Sequence, residues 1–147
     1  MFISLNYLLI LSYVICPLIY VINLHIYTIH TQIFSVAAVE SVSSCGKICI
    51  LDIDVQGVRN VKKSSLDAIY IFIAPPSMEE LEKRLRGRGT ESEESVVKRI
   101  KNAQGELEYG MQEGNFDRVF TNDDLNKTFN ALVEQLEEWY PQLGDSK

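Results

Sequence analysis

The chain has 147 residues, with 14 Lys and Arg against 20 Asp and Glu and a formal net charge of −6. That length suits one domain with a sizeable core, and 46% hydrophobic against 23% charged residues excludes wholesale disorder. An acidic balance argues against a broad nucleic-acid surface, which needs clustered Lys and Arg, but a few arginines still suffice for a small anion.

Charge is unevenly spread. Residues 1–39 hold no Asp, Glu, Lys or Arg, and the first charge is Glu40. From Met1 to Tyr20 only Ser4, Asn6, Ser12 and Pro17 interrupt apolar or aromatic residues. About 20 such residues are enough to span a bilayer as a helix, so residues 1–24 read as a candidate membrane anchor. No basic n-region or small-x-small cleavage site supports a signal peptide, and no Lys or Arg flank orients a span. Tyr7, Tyr13, Tyr20 and the β-branched residues fit strands equally well. His25 and His30 are off the helical spacing that aligns ligands, and two ligands are too few for a metal site. Cys16, Cys45 and Cys49 form no C-x-x-C pair and read as reduced, mostly buried thiols in a cytosolic compartment.

Alternating elements follow. Ser35 to Ser44 predicts a short helix stopped at Gly46. Ile48 to Ile53 is a short apolar run, the pattern of a strand buried on both faces. Val55 to Lys63 predicts a short helix, and Ala68 to Ala74 a second buried strand halted by Pro75-Pro76. Ser77-Met-Glu-Glu80 is a capping box that opens a helix to about Arg86. Thr90-Glu-Ser-Glu93 is a second capping box, opening a helix to about Tyr109 with Val96, Val97, Ile100, Ala103 and Leu107 apolar. A short strand near Arg118 to Thr121 precedes Asn122-Asp123-Asp124, which caps a last helix. That helix carries Leu125, Phe129, Leu132, Val133, Leu136 and Trp139 on one face. Strands alternating with helices predict an α/β domain with a parallel sheet, whose ligands sit at the carboxyl ends of strands.

Three groups carry candidate chemistry. Strand alternation places Asp52 and Asp54 on one side, where two carboxylates hold Mg²⁺ through water, orient arginines, or cap a helix. Arg84, Arg86, Arg88 and Lys98-Arg99 lie on two capped helices and the turn between them. Arginine forks grip phosphate oxygens bidentately, although the neighbouring glutamates also fit a solvated, ion-paired face. Asn122 sits at a strand-to-helix junction, suited to a purine edge or to capping.

Taken in order, CILDIDVQGV, FIAPPS, EKRLRGRGTESEESVVKRI, AQGELEYG and TNDDL resemble the guanylate kinase family, nucleoside-monophosphate kinases of the P-loop class. The resemblance covers about residues 35–143. It implies a partial P-loop kinase fold: a parallel sheet with flanking helices, a helical lid over about 77–109, and a foreign apolar segment at 1–34. It implies transfer of the ATP γ-phosphate to GMP with Mg²⁺, giving ADP and GDP, in a cytoplasmic monomer. By match of motif, Arg88 and Arg99 would be the catalytic arginines of lid and helix that neutralise the transferring phosphoryl group. Arg84 and Asn122 would be ATP-binding, and Asp52 and Asp54 would mark the GMP and Mg²⁺ end, with no direct metal ligand. The chemistry agrees, since phosphoryl transfer needs positive charge brought onto a dry phosphate cluster by a moving lid.

The chain departs from the family near Phe34. The P-loop G-x-x-x-x-G-K-[ST] has no counterpart: the only Gly-Lys pair is Gly46-Lys47, followed by Ile48, and position 41 is Ser. The family's GMP-binding module is also without a match. The expectation is a truncated, catalytically impaired member. The alternatives are a non-catalytic guanylate-kinase-like interaction module, disfavoured by the retained arginines, and a membrane-tethered remnant. The family's first strand lies in mid-sheet, so strands 48–53 and 68–74 are expected to face a gap. Residues 7–14 are a candidate surrogate strand to fill it.

Overall fold

The computed structural model describes residues 2–4, 19–23, 36–87 and 92–146, with side chains described over 36–87 and 92–143. In chain order the elements are β1 (Phe2–Ser4), β2 (Ile19–Asn23), α1 (Val36–Ser44), β3 (Ile48–Asp52), α2 (Val55–Lys62), β4 (Tyr70–Ala74), α3 (Met78–Gly87), α4 (Glu93–Met111), β5 (Arg118–Thr121) and α5 (Leu125–Trp139). A short 3₁₀ turn, Pro141–Ser146, follows. The five strands form one sheet in the order β2-β3-β1-β4-β5, and every pairing is parallel.

The centre of the sheet is held by its shortest strand. Phe2 stands opposite Leu51 and Tyr70, Ile3 opposite Asp52 and Ile71, and Ser4 opposite Phe72. The slot expected to stay open between β3 and β4 is thus occupied along Leu51–Asp52 of β3 and Tyr70–Phe72 of β4. Residues 7–14, the segment expected to enter it, lie outside the described residues, as do His25, His30 and Cys16. β2 lines the outer edge of β3 from Ile19 opposite Ile48 to Asn23 opposite Asp52. Two stretches of the proposed anchor 1–24 are therefore paired in the sheet. Among the described residues, no helix is long and apolar enough to cross a membrane.

Alternation along β3 and β4 sends successive side chains to opposite faces, and both faces are covered. On one face Ile50, Ile71 and Ile73 pack against Leu132, Leu136 and Leu143, with Phe129 and Trp139 at the margin. On the other, Cys49, Leu51 and Ile53 pack against Val58 and Val61 of α2, with Val39 and Val42 of α1 alongside. Each fully buried Leu, Ile or Val contributes about 1.5–3 kcal/mol relative to exposure. Cys49 is a core hydrophobe whose thiol pKa burial pushes up. Cys45 is exposed, against the expectation of mostly buried thiols, because it lies in the turn after α1. Gly46 in that turn has φ +71, the left-handed conformation that stops a helix.

α3 and α4 pack through a separate small core of Leu81, Leu85 and Val96, flanked by Met78, Ile100 and Ala103. The Ser77 hydroxyl accepts from the Glu80 amide at 3.2 Å, as the capping box predicts. α4 starts later than the second box implies: Ser92 is its N-cap and accepts from the Ser95 amide, while Thr90 lies outside the described residues. Val97 is 54% exposed, because α4 meets α3 along a stripe that includes Val96 but not its neighbour a hundred degrees round the helix. Leu125 is likewise exposed at the start of α5.

α4 runs roughly 28 Å at 1.5 Å per residue, so its two ends do different jobs. Its first half packs in the small core shared with α3. Its last turn lies on the sheet, where a Cβ on Gly110 would stand 2.2 Å from the Phe72 ring. Phe72 packs against Phe116 at 5.1 Å between ring centroids, and Tyr109 meets Phe116 edge to face at 6.0 Å. Arg59 of α2 lies 4.4 Å over the Tyr109 ring, tying α2 to the same end.

Candidate functional site at the carboxyl edge of the sheet

Because all strands run one way, their carboxyl ends form one edge, where ligands of open α/β sheets sit. Asp52 is the last residue of β3 and is half-buried. Asp54 is two residues on but no longer in the strand. Its Oδ1 accepts from the Gly57 amide at 2.7 Å as the N-cap of α2. The alternation argument for a shared side therefore does not extend to Asp54, whose direction is set by capping. Asn122 follows the last residue of β5 at the same edge, and its amide donates to the Ala74 carbonyl at 2.8 Å. It is buried, 7% exposed. The cap of α5 is Asp124, which accepts from the Lys127 amide at 2.9 Å and leaves Asn122 a place in the loop before it.

Arg99 projects from α4 and is half-buried. Glu106, two turns on and so on the same helical stripe, is half-buried as well. Burial pushes the Glu106 carboxyl pKa up, the Asp54 charge pushes it further, and Arg99 opposes them. Asp54, Arg99 and Glu106 therefore form one electrostatic group, assembled from the N-terminus of α2 and the middle of α4. Sequence reasoning missed Glu106. The available signal was its seven-residue spacing from Arg99 within an otherwise solvated helix.

The remaining arginines divide. Arg84 of α3 donates from Nε to Glu80 Oε1 at 2.8 Å, from Nη1 to the Asn122 carbonyl at 2.8 Å and from Nη2 to the Asp123 carbonyl at 3.4 Å. Arg86 pairs with Glu82 at 2.8 Å and also with Glu93, bridging α3 to the start of α4. These carboxylates raise the Arg86 pKa, Glu93 most. Arg86 thus takes the ion-paired reading, at a solvent-exposed pair of modest worth. Arg88 lies outside the described residues. Among the described residues, no three His, Cys, Asp or Glu side chains gather as ligands for a metal ion.

An all-parallel sheet with helices on both faces and a helical hairpin with its own core define an α/β domain consistent with a partial P-loop kinase fold. The family profile described as guanylate kinase matches residues 28–139. Guanylate kinase 1 of Oryza sativa subsp. japonica is 54% identical over 110 residues, covering 74% of this chain and 29% of that protein. The guanylate kinase of Sus scrofa is 50% identical over 104 residues, with 71% and 52% covered. That of Homo sapiens is 48% identical over 104 residues, with 71% and 53% covered. The chain belongs to the guanylate kinase family. It spans between 29% and 53% of the length of these curated relatives.

Proposed function

We propose that this chain carries the lid and ATP side of a guanylate kinase, and that the 147 residues by themselves bind ATP·Mg²⁺ but transfer little or no phosphate to GMP. The observation that carries this reading is the placement of Asp52, Asp54 and Asn122 at one carboxyl edge, with Arg84 bonded to the Asn122 backbone. Arg84 and Asn122 serve the adenine side. Arg99, with Arg88 between α3 and α4 in the chain, neutralises phosphate charge. Asp52 and Asp54 stand at the acceptor end.

The fit to Mg²⁺ is that of a metal carried by phosphates. Such an ion keeps several waters and needs only one or two protein carboxylates, a role Asp52 would fill through water while Asp54 Oδ1 caps α2. Bound there, it would screen phosphate charge. The chain's own contribution is to bring arginines onto the phosphates and to exclude water when the hairpin closes.

The sequence supports impaired turnover. These 147 residues contain no G-x-x-x-x-G-K-[ST] motif, the glycine-rich cradle whose backbone amides hold the β- and γ-phosphates. Without it the reacting groups lose both positioning and charge stabilisation, each worth several kcal/mol of barrier. The arginines of α3 and α4 favour this reading over a binding module that has discarded phosphate chemistry.

Two measurements on one purified sample test it. Calorimetric titration with ATP·Mg²⁺ is expected to show binding, and a coupled ADP assay with GMP is expected to show no GMP-dependent turnover. Absence of ATP·Mg²⁺ binding would overturn the ATP-side assignment. GMP-dependent ADP formation would overturn the impairment.

A further inference from the structure

We infer that Arg84 is a positioning residue: a latch that fastens helix α3 of the lid to the turn carrying Asn122, so that this turn is held in place before any nucleotide arrives. The inference deepens the ATP-side reading and rests on it only for the nucleotide arm of the test below.

The geometry carries the argument. Three of the five guanidinium N–H groups are spent inside the protein, one on Glu80 and two on consecutive main-chain carbonyls, Asn122 and Asp123. Those carbonyls lie between β5 and α5, 38 and 39 residues further along the chain. Main-chain carbonyls do not ionise and do not change with ligand, so their recognition fixes the course of the backbone. Glu80 is one turn back on the same helix and holds the guanidinium from behind. The hydrogen bond from Arg84 in turn lowers the Glu80 carboxyl pKa. The Arg84 side chain is 27% exposed, partly withdrawn from water, where a charge-assisted bond to a carbonyl is stronger than at an open surface.

The turn is also pinned from its other sides. The Asn122 amide donates to Ala74 of β4, the Thr128 hydroxyl to the Thr121 carbonyl at 3.3 Å, and Asp124 caps α5. Arg84 links it to helix α3. A lysine keeps the charge at this position but is a point donor, unable to hold a carboxylate and two carbonyls in one plane.

The test is amide hydrogen exchange on the full chain, with Arg84→Lys and Glu80→Gln beside the parent. Without nucleotide, Arg84→Lys is expected to speed exchange at the amides of Asn122, Lys127 and Thr128 by about tenfold or more, the scale of one charge-assisted bond. Core amides of Ile50 and Leu51 keep parental rates. Glu80→Gln is expected to loosen the same amides to a smaller degree. Unchanged exchange in the turn of Arg84→Lys overturns the latch, as does a uniform rise across the whole chain. In the second arm ATP·Mg²⁺ is titrated against parent and Arg84→Lys. The latch predicts weaker binding by the variant and recovery of turn protection at saturation. Weaker binding with parental exchange in the nucleotide-free variant would instead mark Arg84 as a direct ligand, and the latch would fall. If the parent binds no ATP·Mg²⁺, the ATP-side reading fails by itself, while the exchange rates still decide the latch.

Discussion

Gly110 and Gly105 lie five residues apart on one helix and make opposite demands. A methyl group at Gly105 meets open space, whereas at Gly110 it would press on the Phe72 ring, itself fixed against Phe116. Replacing an exposed helical Gly by Ala gains up to about 1 kcal/mol of helix propensity. Overpacking a fitted core costs typically about 1–3 kcal/mol. Gly105→Ala is therefore expected to raise the urea midpoint, and Gly110→Ala to lower it despite the same gain in propensity. Equal shifts from both would mean that the last turn of α4 does not lie on Phe72. At this scale capping was largely legible. Ser77 serves as read, and Asp124 belongs to the triplet read as the cap of α5. The second box reads Thr90 as a cap, whereas Ser92 is the N-cap of α4 although no acid stands three residues after it.

At the scale of elements, the strands and helices of residues 36–139 follow the hydrophobic pattern closely. β3 and β4 show as unbroken apolar runs because both of their faces are buried, and α2, α3, α4 and α5 begin at polar caps. β1 is another matter. Three residues in mid-sheet give no periodic signal, and the same apolar stretch reads equally as a membrane helix. Its place depends on β3 and β4 both offering unpaired inner edges. Proline has no N–H to give and is excluded from central strands. Ile3→Pro is thus expected to cost on the order of 1–3 kcal/mol through one orphaned buried carbonyl. It should also remove exchange protection from β3 and β4 together. A silent Ile3→Pro would show that β1 does not hold the centre of the sheet.

At the scale of the whole molecule, Glu106 couples the site to global stability. Its carboxyl pKa is raised in the folded state by burial first and by Asp54 second, with Arg99 opposing. The folded protein therefore holds this proton where the unfolded chain has released it, so the contribution of Glu106 falls as pH rises. Below the ordinary glutamate value of 4.5 both states are protonated and there is no penalty. Above it stability is lost until the folded pKa is passed. The difference in unfolding free energy between Glu106→Gln and the parent is expected to be small at low pH and to grow in favour of the variant as pH rises through that window. A pH-independent difference would mean that neither burial nor Asp54 raises the Glu106 carboxyl in the folded protein.

The sequence by itself determined the family, the α/β alternation, the buried strands and the absence of a phosphate-cradling motif from these 147 residues, because each is written in local patterns of residue type and spacing. Only the tertiary structure decided that Phe2–Ser4 closes the sheet, that Asp54 turns to cap α2 while acting on Glu106, and that Arg84 spends its guanidinium on the backbone of a distant turn. Each of these joins residues far apart in the chain through hydrogen bonds or charge. Such bonds depend on where the backbone returns in space, and no window of neighbouring residues contains that information.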